Sequence, residues 1–239
     1  MENARVRTNR KDSFVNSTDI NVIYEDNQII VVEKPVNIPS QGDKTGDVDM
    51  LTIVKEYIKE KYNKPGEVYL GLVHRLDRPT GGVMVFARTS KAASRLSEQI
   101  REGGFHKKYI AIVDGKMESN NGTMTDYLQK NERKNTSRVV DKNTKNAKLA
   151  ELDYEVAKYN DEINLSVVKI MLKTGRHHQI RVQFASRNHS LYGDQKYGTR
   201  GRGKQLCLWA YSLTLVHPTL KEEMTFECYP QKEGSWKIL

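Results

Sequence analysis

The chain has no run of the roughly 18 consecutive apolar residues that a membrane-spanning helix needs. Its first residues, MENARVRTNRKDSF, are polar and charged, without the apolar stretch of a secretory leader. Cysteine occurs twice, at Cys207 and Cys228, with no metal-binding spacing and inside apolar, strand-like runs. Both read as reduced core residues of a cytoplasmic protein. Catalytic signatures are sparse too. There is no GxSxG elbow for a serine hydrolase, no HExxH zinc motif and no internal repeat. The run GTRGRGK at 198–204 lacks the glycine spacing of a nucleotide-binding loop and reads as a basic loop able to touch phosphates.

Positive charge is what the chain has in excess. Lys and Arg total 39 against 30 Asp and Glu, a formal net charge of +9. Such a balance favours nucleic acid or an anionic surface as partner, the plain alternative being a soluble protein that is simply basic. A length of 239 residues suits one large domain or two small ones. Within Val73–Lys91 (VHRLDRPTGGVMVFARTSK) a single acid, Asp77, stands between Arg75 and Arg78. Neighbouring cations favour the charged carboxylate, which suits a nucleophile or base and not a proton donor. No second carboxylate marks an acid partner; Asp194, in a YGD triplet, is not an evident one.

The pattern predicts strands at Ile20–Tyr24, Ile29–Glu33, Val83–Ala87, Lys108–Val113, Glu151–Tyr159, Leu165–Leu172, Leu206–Val216 and Met224–Tyr229. It predicts one helix from a cap at Asp47 or Asp49 to about Tyr62 and a second capped by Ser90 and stopped at Gly103-Gly104. A third spans 177–186, with Arg181 sharing a cationic face with His177 and His178. Residues 1–18 read as a flexible polar arm and the basic segment 130–148 as an exposed hairpin or loop. Uneven interleaving of many strands with few helices implies an α+β fold with a mixed, mainly antiparallel sheet.

Four stretches are dense in functional side chains, and each resembles a block of the RluA-type family of RNA pseudouridine synthases, in the family's order. VHRLDRPTGG resembles the HRLD-x-x-T-x-G signature, EKPVNIPSQGD the KP-containing loop and FHKKYIAIVDG the K-x-Y-x-A-x-V-x-G segment. LKTGRHHQIRVQFASRNHSLYGDQKYG resembles TGR-x-HQIR…GD-x-x-YG. The resemblance spans roughly residues 20–230. It implies a pseudouridine synthase fold over 19–239, a central mixed sheet flanked by helices and loops with the active-site cleft across it. It implies isomerisation of uridine to pseudouridine in ribosomal or transfer RNA, with no cofactor and no metal. The alternative kept beside it is an RNA-binding or chaperone protein whose catalysis is dispensable.

By the same resemblance Asp77 is the catalytic aspartate, and Arg181 pairs with it. Tyr109 stacks on the uracil and takes the C5 proton. Arg75 fills the space left by the flipped nucleotide. His74, Thr80, Arg176, His178, Gln179 and Leu172 are expected at the RNA or the base. The chain departs from the pattern at Gly81, where serine is usual, Gln183 (histidine), Ser190 (proline) and Ser40-Gln41 (His-Pro). The 18 residues before the first strand are too few for the S4-type domain some members carry, so the expectation is a stand-alone monomeric enzyme.

Overall fold

The elements run, in chain order, β1 (Val22–Glu25), β2 (Ile29–Lys34), α1 (Met50–Lys61), β3 (Gly71–Leu72), β4 (Gly81–Ala87), α2 (Ser90–Glu102), β5 (His106–Asp114), β6 (Asn121–Asn131), β7 (Thr136–Val140), β8 (Lys148–Asn160), β9 (Leu165–Leu172), α3 (Gln179–Ala185), β10 (Leu208–Val216) and β11 (Glu223–Glu227), with a short 3-10 helix at Gly234–Ile238. The structure is a computed structural model and describes residues 20–199 and 201–239; the arm expected at 1–18 lies outside them. The α+β class expected from the pattern is what these elements form. The chain divides into two compact units: residues 20–105 with Ser212–Cys228, and His106–Tyr211 with Tyr229–Leu239.

In the first unit β2 and β4 pair antiparallel, with Ile29 opposite Ala87 and Lys34 opposite Gly82. Both strands are apolar on both faces because both faces are covered. Ile30, Val32, Met84 and Phe86 pack against Ile53, Val54 and Ile58 of α1. The alternate residues Ile29, Val31, Val83 and Val85 pack against Ala92 and Leu96 of α2 and against Leu213, Leu215 and Phe226. Asp49 begins α1, its carboxylate accepting the Thr52 amide. The α2 cap is Thr89, whose hydroxyl oxygen accepts the Ala92 amide at 3.0 Å, and not the expected Ser90, which is the first helical residue. Gly103 ends α2 at φ 80°, a left-handed conformation suited to glycine.

In the second unit the strand order is β5-β9-β8-β6-β7, all antiparallel. The β6–β7 hairpin turns at residues 132–135, giving the basic segment the hairpin form expected for it. β6 itself was not legible: its sequence, NGTMTDYLQKN, buries only Met124 and Leu128, four residues apart, so the strand alternation is hidden. The helix expected at 177–186 begins only at Gln179. His178 precedes it with φ 54°, so the histidines are not on the helical face that carries Arg181.

Candidate active site

In the first unit the loop Val73–Thr80 carries His74, Arg75, Asp77 and Thr80. Its backbone is held by Lys34, which ends β2, and by residues just after it. The fully buried Lys34 ammonium donates to the carbonyls of Pro35 (2.9 Å), Arg78 (3.1 Å) and Thr80 (2.7 Å). An ammonium has three donors and no acceptor, so three carbonyls match it one for one. The Asn37 amide, in a left-handed residue at φ 67°, donates to the Arg78 carbonyl at 2.8 Å. The Ser40 hydroxyl donates to the Leu76 carbonyl (2.8 Å) and accepts the Leu76 amide (3.1 Å). The Thr80 amide closes a turn onto the Asp77 carbonyl at 2.9 Å. Asp77 is thus half-buried on a backbone fastened on both sides.

Burial pushes the Lys34 pKa down to about 7, while the Asp77 carboxylate raises it and Arg78 lowers it further. Arg78 itself faces another way than expected. Its guanidinium bonds Asp47, and its Nε and Nη1 donate to the Asn37 carbonyl (3.1 Å) and the Thr45 hydroxyl (3.2 Å). Bonding to Arg78 holds the Asp47 carboxyl below its ordinary range. Arg75 is exposed. His74 accepts the Val85 amide on Nε2 at 3.0 Å and sits edge-on to Phe105, so it braces β4. Thr80 is buried, and its hydroxyl meets no hydrogen-bond partner among the described residues.

In the second unit Tyr109 lies opposite Ile170, and Lys107 opposite Leu172, so these four side chains share one face of the β5–β9 pair. The face continues onto β8, where Tyr154 is opposite Ile170 and Leu152 opposite Leu172. The Tyr154 ring meets Phe184 of α3 edge-on at 6.0 Å. Tyr109, Leu172 and the helix bearing Arg181 are therefore on the same side of this sheet. Desolvation lowers the pKa of Lys107 in that setting.

Arg181 is buried and forks onto Asp194, with Nε to Oδ2 and Nη2 to Oδ1 both at 2.7 Å. Asp194 also accepts the amides of Lys196 (2.8 Å) and Tyr197 (3.1 Å). Burial pushes the Asp194 pKa up, but the Arg181 bonds and these amides outweigh it and hold the carboxyl below its ordinary range. The acid set aside in the YGD triplet therefore helps orient Arg181.

The remaining predicted residues brace the turn before α3. Gln179 accepts the Thr174 hydroxyl (2.8 Å) and the Arg176 amide (3.0 Å), and donates to the Glu151 carbonyl (3.1 Å). Arg176 donates from Nε to the Leu149 carbonyl at 2.7 Å. His178 bonds the Tyr197 hydroxyl through Nδ1 at 2.7 Å. Gln183, where the pattern has histidine, donates to Asp126 at 2.7 Å from within the core. The residues missed were Lys34, Ser40 and Asp194. The signal for Lys34 and Ser40 was their place in the KP-containing block EKPVNIPSQGD.

A family model described as RNA pseudouridylate synthase matches residues 28–186. An uncharacterized RNA pseudouridine synthase of Aquifex aeolicus is 34% identical over 225 residues, covering 87% of this chain and 68% of its own length. Ribosomal large subunit pseudouridine synthase C of Buchnera aphidicola is 33% identical over 213 residues, covering 85% of this chain and 65% of its own length. The chain thus spans about two thirds of these relatives. Among solved structures, human RNA pseudouridylate synthase domain containing 4 superposes with a TM-score of 0.72 at 24% identity, covering 88% of this chain and 89% of that one. That likeness bears on the fold alone.

Proposed function

The chain belongs to the RNA pseudouridylate synthase family, whose members are isomerases, and on that premise we propose that it converts uridines in structured ribosomal or transfer RNA to pseudouridine. The observation that carries this reading is the fastened loop around Asp77. A single carboxylate on a backbone held by Lys34, Asn37 and Ser40 suits a group that must meet one sugar or base in a fixed pose.

In this reading Asp77 is the catalytic carboxylate and Arg181 the cation that serves it. Tyr109 stacks on the uracil and accepts the C5 proton. The N1–C1′ bond breaks, the uracil turns, and a C5–C1′ bond forms. C5 gives up its proton, N1 gains one, and the product is an isomer that needs no redox partner. The target base must leave its stack to be reached, and the exposed side chain of Arg75 is suited to fill the gap. Thr80, His178, Arg176, Gln179, His74 and Leu172 are read as the supporting shell. Residues 19–239 are taken as the catalytic domain of a cytoplasmic monomer.

The test is tritium release from total transfer and ribosomal RNA carrying 5-tritiated uridine, made without this enzyme. Wild type should release tritium, and Asp77→Ala should lower the rate at least about a thousandfold. No release by wild type from either RNA overturns the proposal.

A further inference from the structure

We propose that Tyr197 is a positioning residue that joins the basic β6–β7 hairpin to Arg181, so that the grip on RNA and the setting of the guanidinium are made through one side chain. This rests on the pseudouridine synthase reading and on the role given there to Arg181.

Tyr197 is half-buried, and its two ends do different things. Its ring lies under Arg181, with the guanidinium carbon 5.2 Å from the ring centroid, and a cation is attracted to that face. Its amide donates to Asp194, the same carboxylate that holds Arg181. Its hydroxyl accepts the Ser137 amide of β7 at 2.7 Å. The same hydroxyl bonds Nδ1 of His178, also at 2.7 Å. Tyr197 therefore touches the helix that bears Arg181, the residue that caps that helix and the hairpin strand.

Three further ties bring the hairpin to the same place. His177 bonds the Ser137 hydroxyl through Nδ1 (2.9 Å) and the Asn135 side chain through Nε2 (3.0 Å), and its ring stacks on His178 at 3.7 Å. The Lys196 ammonium donates to the Asn135 carbonyl at 2.8 Å. The clamped turn is cationic. Residues 130–148 hold seven Lys or Arg against two acids, and Arg133 and Lys134 at the turn are exposed. A cationic turn of this kind suits an RNA phosphate backbone. Force or order delivered there reaches Arg181 through the Tyr197 ring.

The experiment measures tritium release with the RNA described above for Tyr197→Phe, Tyr197→Leu, Arg133→Gln/Lys134→Gln and the combination of the last with Tyr197→Phe. Tyr197→Phe keeps the ring under Arg181 and removes the hydroxyl. It should raise KM about fivefold, the size of one hydrogen bond, and lower kcat less than twofold. Tyr197→Leu should also lower kcat at least about tenfold. In the Arg133→Gln/Lys134→Gln background, Tyr197→Phe should change KM less than twofold, because the grip it orients has gone. If the two KM effects multiply instead, or if all variants lose activity only in proportion to the fraction folded, the proposal fails. Failure of wild type to release tritium would reject the functional reading and not this link. Filter binding of the same RNA then reads the same pattern as Kd. Hydrogen exchange in the free protein gives a readout without RNA: Tyr197→Phe should speed exchange of the Ser137 amide and its β7 neighbours. Unchanged exchange together with unchanged Kd overturns the proposal.

Discussion

Lys34 shows how much of this site is settled by one buried side chain. Its three N–H groups satisfy three carbonyls, two of them in the loop that carries Asp77. Lys34→Met takes a donor from each of those carbonyls, of which the Arg78 carbonyl keeps the Asn37 amide; the loss should cost about 2–4 kcal/mol of stability in urea unfolding. The pH dependence has a definite sign. Burial sets the folded pKa near 7, whereas an unfolded lysine titrates at about 10.4. Between those values the unfolded chain binds the extra proton, so the penalty for charging Lys34 is full below 7 and fades as pH rises. Wild-type stability relative to Lys34→Met should therefore rise from pH 7 to 10; a flat or falling difference would contradict this. Asp77 was legible because its surroundings form a dense motif. Lys34, Ser40 and Asp194 were not, because each acts by hydrogen bonds to residues 13 to 46 positions away.

At the scale of elements, the sequence pattern worked where both faces of a strand or one face of a helix are buried. β2, β4, β5 and β9 carry continuous or alternating apolar runs and fell near their expected bounds. Caps were less certain, because Thr89 and Ser90 carry the same chemistry and only the backbone decides between them. Thr89 is extended (φ −135°, ψ 153°) and accepts the Ala92 amide. Thr89→Ala should cost about 1 kcal/mol in thermal or urea unfolding, and Ser90→Ala much less. A larger loss for Ser90→Ala than for Thr89→Ala would put the cap at Ser90. The start of α3 escaped prediction for a similar reason. A left-handed histidine followed by a buried helix reads, as plain sequence, like one more helical turn.

For the whole molecule, the excess of cations and the clamped basic turn lead to a salt-dependent affinity. RNA binding measured by filter retention should weaken at least about tenfold between 50 and 200 mM salt. An affinity that holds constant would reject phosphate contacts as its main source. The order of the chain has another consequence. Leu213, Leu215 and Phe226 belong to the core built on β2 and β4, yet they follow residue 105 by more than a hundred positions. During synthesis the apolar side of Val83–Ala87 leaves the ribosome long before its covering residues exist. At ordinary elongation rates that gap is on the order of ten seconds. For that interval only α2 and Phe105 cover this face of the nascent strand pair, so the yield of folded protein should fall when synthesis of residues 106–226 is slowed.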